Sequence, residues 1–403
     1  MLAAATIVAK SYLSFARVLA RSFRQHNPAI PFLVLLADEV DGFFDPADEP
    51  FELLTLADLA IPALEQLRFR HAQQPLSYAA TPYLLTALLR RGFSRVVFLK
   101  QETVVLSDLS SLFDVVGRYS IALTPHLLSP LAGADAIPRE LNILQSGTFN
   151  GGVIAVADTP VAHEFLTWWG ARLATDCRHA IADGLHYEQR WLDLVPAFFG
   201  DVHIVRDPSY NVGHWNLPER RITRRGETVL VDGEPCRVFR FSGYSPDDPL
   251  AVSRYSSRLT LDNVGPAKLV VERFRLALEA DGYHETKGWP YAYAVFDNGV
   301  PIPECARRFH LALGDGADRF GDPLLTGPPD SYFRWLNEGV TDRDGMSTGV
   351  SRLWEAVYRE RPDLQAAFPD AFGEHRAAFL DWTAAYGLKE YRISPHFLVH
   401  GVV

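Results

Sequence analysis

The stretch Arg95-Val96-Val97-Phe98-Leu99-Lys100-Gln101-Glu102-Thr103-Val104-Val105-Leu106-Ser107-Asp108-Leu109 decides the fold. Val96 to Leu99 is an apolar run with the length of a buried central strand, too short for a helix. Three polar residues, Lys100-Gln101-Glu102, break it. A second apolar run, Val104 to Leu106, follows, and Ser107-Asp108 supplies capping chemistry for a helix through Leu109 to Phe113. In an open parallel sheet, ligands sit outside the carboxyl ends of the strands. Polar residues placed at the end of a buried strand are therefore the first candidates for a site.

Towards the N-terminus the chain alternates strand and helix. Ala4 to Val8 reads as a first strand, Tyr12 to Gln25 as an amphipathic helix, Phe32 to Leu36 as a strand ended by Asp38-Glu39, and Phe51 to Leu54 as another. This alternation predicts an α/β protein with a mainly parallel sheet and flanking helices. Ser77 to Arg90 reads as a helix, with Pro82 in its first turns and Gly92 as its stop.

Beyond the central stretch, Ser120 to Leu123 predicts a strand followed by His126. Thr148-Phe149-Asn150-Gly151-Gly152-Val153 combines an amide with two glycines that let backbone approach a ligand closely. A plain β-turn is the alternative. Thr159 to Leu173 predicts a helix whose Trp168-Trp169 pair suits core packing. Glu188-Gln189 is expected to start or lie within a helix over His186 to Leu194. Val202 to Val205 predicts a strand. Asp207-Pro208-Ser209-Tyr210-Asn211-Val212-Gly213-His214-Trp215-Asn216 mixes amides and aromatic rings, which suits a sugar site. Thr228 to Phe241 predicts a hairpin turning at Asp232-Gly233. From Asn263 onward, helices separated by Pro, Gly and Asp predict a mainly helical second region, so the expected domains are 1–262 and 263–403.

Composition narrows the function. The 403 residues carry a net charge of −10, against a general nucleic-acid binder. The three cysteines, Cys177, Cys236 and Cys305, are far apart and form no zinc motif. Leu2 to Ala9 lacks a basic flank before it and reads as a strand, not a signal peptide. No run of about 18 apolar residues predicts a membrane span. The expectation is a cytoplasmic protein, with homo-oligomerisation left open.

These segments, in this order, resemble sugar-nucleotide glycosyltransferases of the GT-A fold, particularly family-8-type enzymes and related bacterial hexosyltransferases. The frame Phe98-Leu99, Val104-Val105-Leu106 and Asp108-Leu109-Ser110-Ser111-Leu112-Phe113 matches, as do Phe149-Asn150-Gly151-Gly152-Val153 and Asp207-Pro208-Ser209-Tyr210-Asn211 with Trp215-Asn216-Leu217. The resemblance implies a nucleotide-sugar donor held by the end of the first strand (Thr6, Val8, Lys10) with Thr81, Gln101 and Gly243. It implies sugar and acceptor contacts from Asn150, Gly151, Gly152, Tyr210, Asn211, Trp215 and Asn216, and an anomeric centre beside Glu188 and Gln189. The acceptor would be a glycan, a lipid-linked molecule or a protein.

The chain departs from that pattern in its Asp-x-Asp motif. Lys100 and Glu102 hold the two aspartate positions, and Arg240 in Phe239-Arg240-Phe241-Ser242-Gly243 holds that of a metal-binding histidine. Divalent cations need hard oxygen ligands, often with imidazole, and two cations would repel one. The expectation is a transferase with no metal or other cofactor, in which Lys100 and Arg240 stabilise the leaving diphosphate and Glu102 orients Lys100 or binds the donor. The alternative is a catalytically silent sugar-nucleotide-binding protein that supports a partner transferase. A nucleotidyltransferase is disfavoured, because Thr6 to Ser11 contains no glycine for a phosphate loop.

Overall fold

The computed structural model describes residues 1–341 and 345–398. The chain forms two compact units, one of Met1–Pro62 with Gln73–Tyr291, the other of Ala63–Ala72 with Ala292–Val403.

The first unit is a mixed α/β structure. The strands that position its site are β1 (Leu2–Val8), β2 (Phe32–Leu36), β3 (Glu52–Thr55), β4 (Arg95–Leu99), β5 (Thr103–Val105), β6 (Ile121–Pro125), β7 (Phe149–Ala157), β8 (Val202–Ile204) and β9 (Val238–Arg240). Seven build the main sheet in the order β8-β6-β7-β4-β1-β2-β3. β1 to β4 are parallel to one another, as are β6 and β8, while β7 runs antiparallel to both β4 and β6. β2, β6 and β7 are buried along their whole length, which explains why the central strands read as continuous apolar runs. A register shift between Leu123 and Thr124 in the β6–β7 pairing places Thr124 opposite Asn150, at the start of β7.

Several expected boundaries change. The helix expected from Ser77 to Arg90 is two helices, Gln73–Ala79 and Thr81–Arg90, with Pro82 in the first turn of the second. Glu188 and Gln189 lie in no α-helix. They follow the short strand Leu185–His186 and precede a 3-10 turn at Arg190–Leu194. The turn at Asp232-Gly233, with φ of 51° and 99°, joins the short strands Thr228–Val231 and Glu234–Pro235. The continuation that was read as part of that hairpin, β9, pairs with β5 instead, with Arg240 opposite Thr103.

The expected boundary at 262/263 falls inside the first unit. The helix Lys268–Ala280 packs there through Phe274, whose ring stacks on Phe241 with centroids 3.9 Å apart and meets Phe15 at 5.9 Å. Among the described residues the second unit is mainly helical, with a two-stranded ladder of Gly339–Thr341 with Ser347–Ser351. The 63–72 segment belongs to it because Phe69 packs on Phe296, His310 and Tyr332 and its carbonyl accepts from Arg307.

Because Phe274 is 1% exposed, Phe274→Ala should cost the first unit about 3–5 kcal/mol, read by urea unfolding followed through tryptophan fluorescence.

Candidate functional site

The site is assembled at the carboxyl end of β4. Lys100 N–H donates to the Gly152 carbonyl at 3.0 Å, tying the strand end to β7. Two residues on, the Glu102 carbonyl accepts from Phe241 N–H at 2.7 Å, just beyond β9. The two ladders bring Lys100, Glu102, Arg240 and the Gly151-Gly152 pair to one place. Lys100, Glu102 and Arg240 line a cavity of about 510 Å³ together with Asn150, Glu188, Gln189 and Trp215, and Gly151 and Gly152 lie behind its wall.

The glycines have a packing reason. A Cβ on Gly152 would overlap the Arg240 guanidinium, and one on Gly151 would lie 2.5 Å from Glu188 Oε1. Both glycines have ordinary strand backbone, so it is the close approach of charged side chains that excludes a larger residue.

The charges are nearly dry. Lys100, Arg240 and Glu188 are 9%, 3% and 1% exposed. The Lys100 ammonium pairs with Glu188 Oε1 and sits 3.8 Å from the centroid of the Tyr78 ring. The partner of Lys100 is thus Glu188, so of the two roles expected for Glu102, orienting Lys100 or binding the donor, Glu188 takes the first. Burial pushes the Glu102 carboxyl up, against the pull of Arg240 and Lys100. Burial pushes the Arg240 guanidinium down, opposed by Glu102. The Tyr78 phenol is held well above its ordinary value by burial, then by the nearby Glu188 and Glu102 charges. Arg240 Nε and Nη1 and Glu188 Oε2 have no hydrogen-bond partner among the described residues. Buried polar groups of this kind are costly unless something pairs with them.

Other predicted residues hold the walls. Asn150 Oδ1 accepts from Gly152 N–H at 2.8 Å, and its Nδ2 meets His126 Nε2 at 2.9 Å. Gln189 Oε1 accepts from Gly151 N–H at 3.1 Å and its Nε2 donates to the Ser146 carbonyl at 2.7 Å. Both amides line the cavity while their polar atoms brace its backbone. Asn216 lies outside it, bonding Gly213 N–H and the His126 and Asn211 carbonyls.

A second cavity, about 230 Å³, lies against the first. Glu102 and Arg254 line both. Its remaining wall includes Ser11, Tyr12, Phe15, Gly243, Tyr244 and Tyr283. Gly243 adopts φ 75°, a left-handed conformation, and a Cβ there would crowd the Tyr255 ring and Ser253.

Beyond Gly151, Gly152 and Asn216, seven further candidates line neither cavity. Thr6 and Val8 are buried within β1. Lys10 is fully buried, with its ammonium on Asp38 Oδ1 (3.3 Å), Asp41 Oδ2 (2.7 Å) and the Glu39 carbonyl (3.1 Å). Thr81 turns its hydroxyl to the Ser77 carbonyl at 3.5 Å. Tyr210 is 2% exposed and its hydroxyl meets Ser111 Oγ at 2.8 Å. Asn211, with φ 53°, donates to the Pro125 carbonyl at 3.3 Å. Gln101, at the turn after β4, is half-buried beside the site but is not in either wall.

Reading the sequence missed Tyr78, His179, His186, His214, Arg254 and Tyr255, all of which line the larger cavity. His214 lies inside the quoted aromatic–amide run and His186 two residues before Glu188; the others come from segments with no motif. Among the described residues no three His, Cys, Asp or Glu side chains group as a metal site. The strand end presents two cations beside Glu102, a donor set that does not fit a divalent ion.

No family model matches the chain. The uncharacterized protein YfnF of Bacillus subtilis (strain 168) is 26% identical over 250 residues, 59% of this chain and 80% of that protein. Among solved structures, an active-site mutant of LgtC is 15% identical, with 69% of this chain and 95% of that chain covered and a TM-score of 0.43. The glycosyltransferase GlyE of Streptococcus pneumoniae TIGR4 is 14% identical, with 73% and 66% covered and a TM-score of 0.41. Among the described residues no helix is long and apolar enough to cross a membrane.

Burial holds His126 down at about 3 and His186 and His214 at about 4, against an ordinary 6.5. Below pH 6.5 the unfolded chain therefore takes up protons that the folded one refuses, so stability falls as pH falls from 6.5 towards 4. Urea unfolding across that window measures the slope, and His126→Asn should flatten it.

Proposed function

We propose that the protein is a glycosyltransferase that moves a hexose from a nucleotide-sugar donor to a glycan, lipid-linked or protein acceptor without a divalent metal. The observation that carries this reading is Arg240. It is a nearly buried guanidinium with two unpartnered nitrogens, beside Lys100, at a strand end facing a cavity. A site of that kind asks for an anion with several oxygens, and a diphosphate supplies them.

In this reading the smaller cavity takes the nucleoside against Tyr12, Phe15, Tyr244 and Tyr283. The diphosphate lies at the shared wall, met by Arg254, Arg240 and Lys100. The hexose and the acceptor enter the larger cavity. The bond from the anomeric carbon to the phosphate oxygen breaks, and its electron pair stays on the diphosphate, where the fixed cations stabilise it. The acceptor hydroxyl oxygen bonds the anomeric carbon and passes its proton to an oxygen of the leaving diphosphate. Glu188 lines the same cavity, with Lys100 on Oε1 and Oε2 without a partner among the described residues, and would orient Lys100 toward the diphosphate. Gln189 acts as a positioning residue, since its amide holds the backbone at Gly151 and Ser146.

Turnover should persist in excess EDTA. Arg240→Ala and Lys100→Ala should each lower kcat by about 10²- to 10³-fold, the scale of losing one preorganised charge donor, with folding checked by thermal melting. Strict dependence on added manganese would refute the metal-free part. Donor binding with no transfer or hydrolysis across many donors would favour the catalytically silent alternative.

A further inference from the structure

The larger cavity holds more positive charge than a diphosphate needs. Beyond the three cations at the strand end and shared wall, Arg139 and Arg258 also line it. They come from two separate segments, the Ala136–Ser146 helix and the loop after Tyr255. That helix buries no residue completely, so its packing does not account for its place at the cavity.

Contacts join the two arginines into one wall. Asp135, which precedes the helix, pairs with Arg258, and Arg139 N–H donates to the Asp135 carbonyl at 3.3 Å, one helical turn away. Arg139 Nη2 donates to the Trp215 carbonyl at 3.4 Å. The Trp215 ring lines the same cavity, and its Nε1 has no partner among the described residues. His214 bridges onward, with ring centroids 5.2 Å from Trp215 and 6.2 Å from Tyr255.

An aromatic face beside guanidinium groups suits a sugar that carries an anion. The ring covers the apolar face of the sugar, and the planar forks match a carboxylate or phosphate. The carboxylates nearby do not cancel these cations. Glu140 is turned to Leu131 N–H at 2.8 Å. The Asp135–Arg258 pair is 52% exposed on both sides, and an exposed pair of that kind contributes little and exchanges readily for a ligand anion. The surrounding protein, at −10, supplies no general positive surface to explain the pairing.

We propose that Arg139 and Arg258 form a subsite for an anionic sugar, bearing a carboxylate or a phosphate, with Trp215 covering its ring. Placing that sugar on the acceptor side rests on the glycosyltransferase reading; the preference for an anionic sugar does not.

Ligand-observed NMR titrations on the full chain, with methyl glucoside, methyl glucuronide, glucose 6-phosphate and inorganic phosphate, test this directly. Each is run with and without UDP, GDP or dTDP. At least one charged sugar should bind about tenfold more tightly than the glucoside, the scale of a charge-assisted contact, and whichever does so identifies the anion. R139Q and R258Q should each remove most of that preference, with melting temperature and nucleotide affinity unchanged. Equal binding of the three sugars, binding of none, or a preference that survives both substitutions would overturn the subsite. So would inorganic phosphate binding as tightly as the charged sugars. Failure of every nucleotide to bind, with the sugar preference intact, would refute the transferase reading and leave the subsite standing.

Discussion

A buried guanidinium resting on a glycine is the constraint on which the site depends. Arg240 reaches the end of β4 only because β9 pairs with β5 and because Gly152 offers no side chain. Taking such a charge out of water costs several kcal/mol unless opposite charge and hydrogen bonds replace the solvent. Glu102 supplies part of the charge, and the unpartnered Nε and Nη1 show that the replacement is incomplete. Lys100 is better compensated, between the Glu188 carboxylate and the Tyr78 ring. The two cations therefore differ in readiness. Arg240 is poised for an incoming anion, whereas Lys100 must share itself between that anion and Glu188.

The aromatic packing behind the smaller cavity links this site to the rest of its unit. Phe241 follows Arg240 directly, and its ring is stacked on Phe274 from the downstream helix Lys268–Ala280. Phe15 and Tyr244 complete that cluster and also face the smaller cavity. One set of rings thus fixes the backbone that carries Arg240 and forms a wall on which a flat ligand can lie. This is why residues 263–291 belong with the sheet and why a boundary drawn from composition at 262/263 missed them.

Much of the site was legible because it sits at strand ends, where a break from apolar to polar residues is visible in one dimension. Lys100, Glu102, Asn150, Gly151, Gly152 and Arg240 are all of that kind. Lys10 shows the limit of the same reasoning. It too follows a buried strand, yet Asp38 and Asp41 enclose its ammonium completely. Tyr210 and Asn211 belong to a run with the composition of a sugar site, but a hydroxyl bond to Ser111 and a left-handed turn take them into the framework. Tyr78, His179, Arg139 and Arg258 were invisible because nothing local marks a residue of a helix, short strand or loop as facing a cavity built by other segments.

By itself the sequence determined the α/β layout of the main sheet and marked Lys100 and Arg240 as charged residues next to apolar runs. Apolar runs, turn residues and side-chain charge are local properties, and they survive in any reading of the chain. Only the tertiary structure decided that Lys100 pairs with Glu188, that β9 leaves its hairpin for β5, and which aromatic and basic side chains close the cavity. Those outcomes depend on which distant segments share a face, and that is set by packing and by the cost of unpaired buried charge.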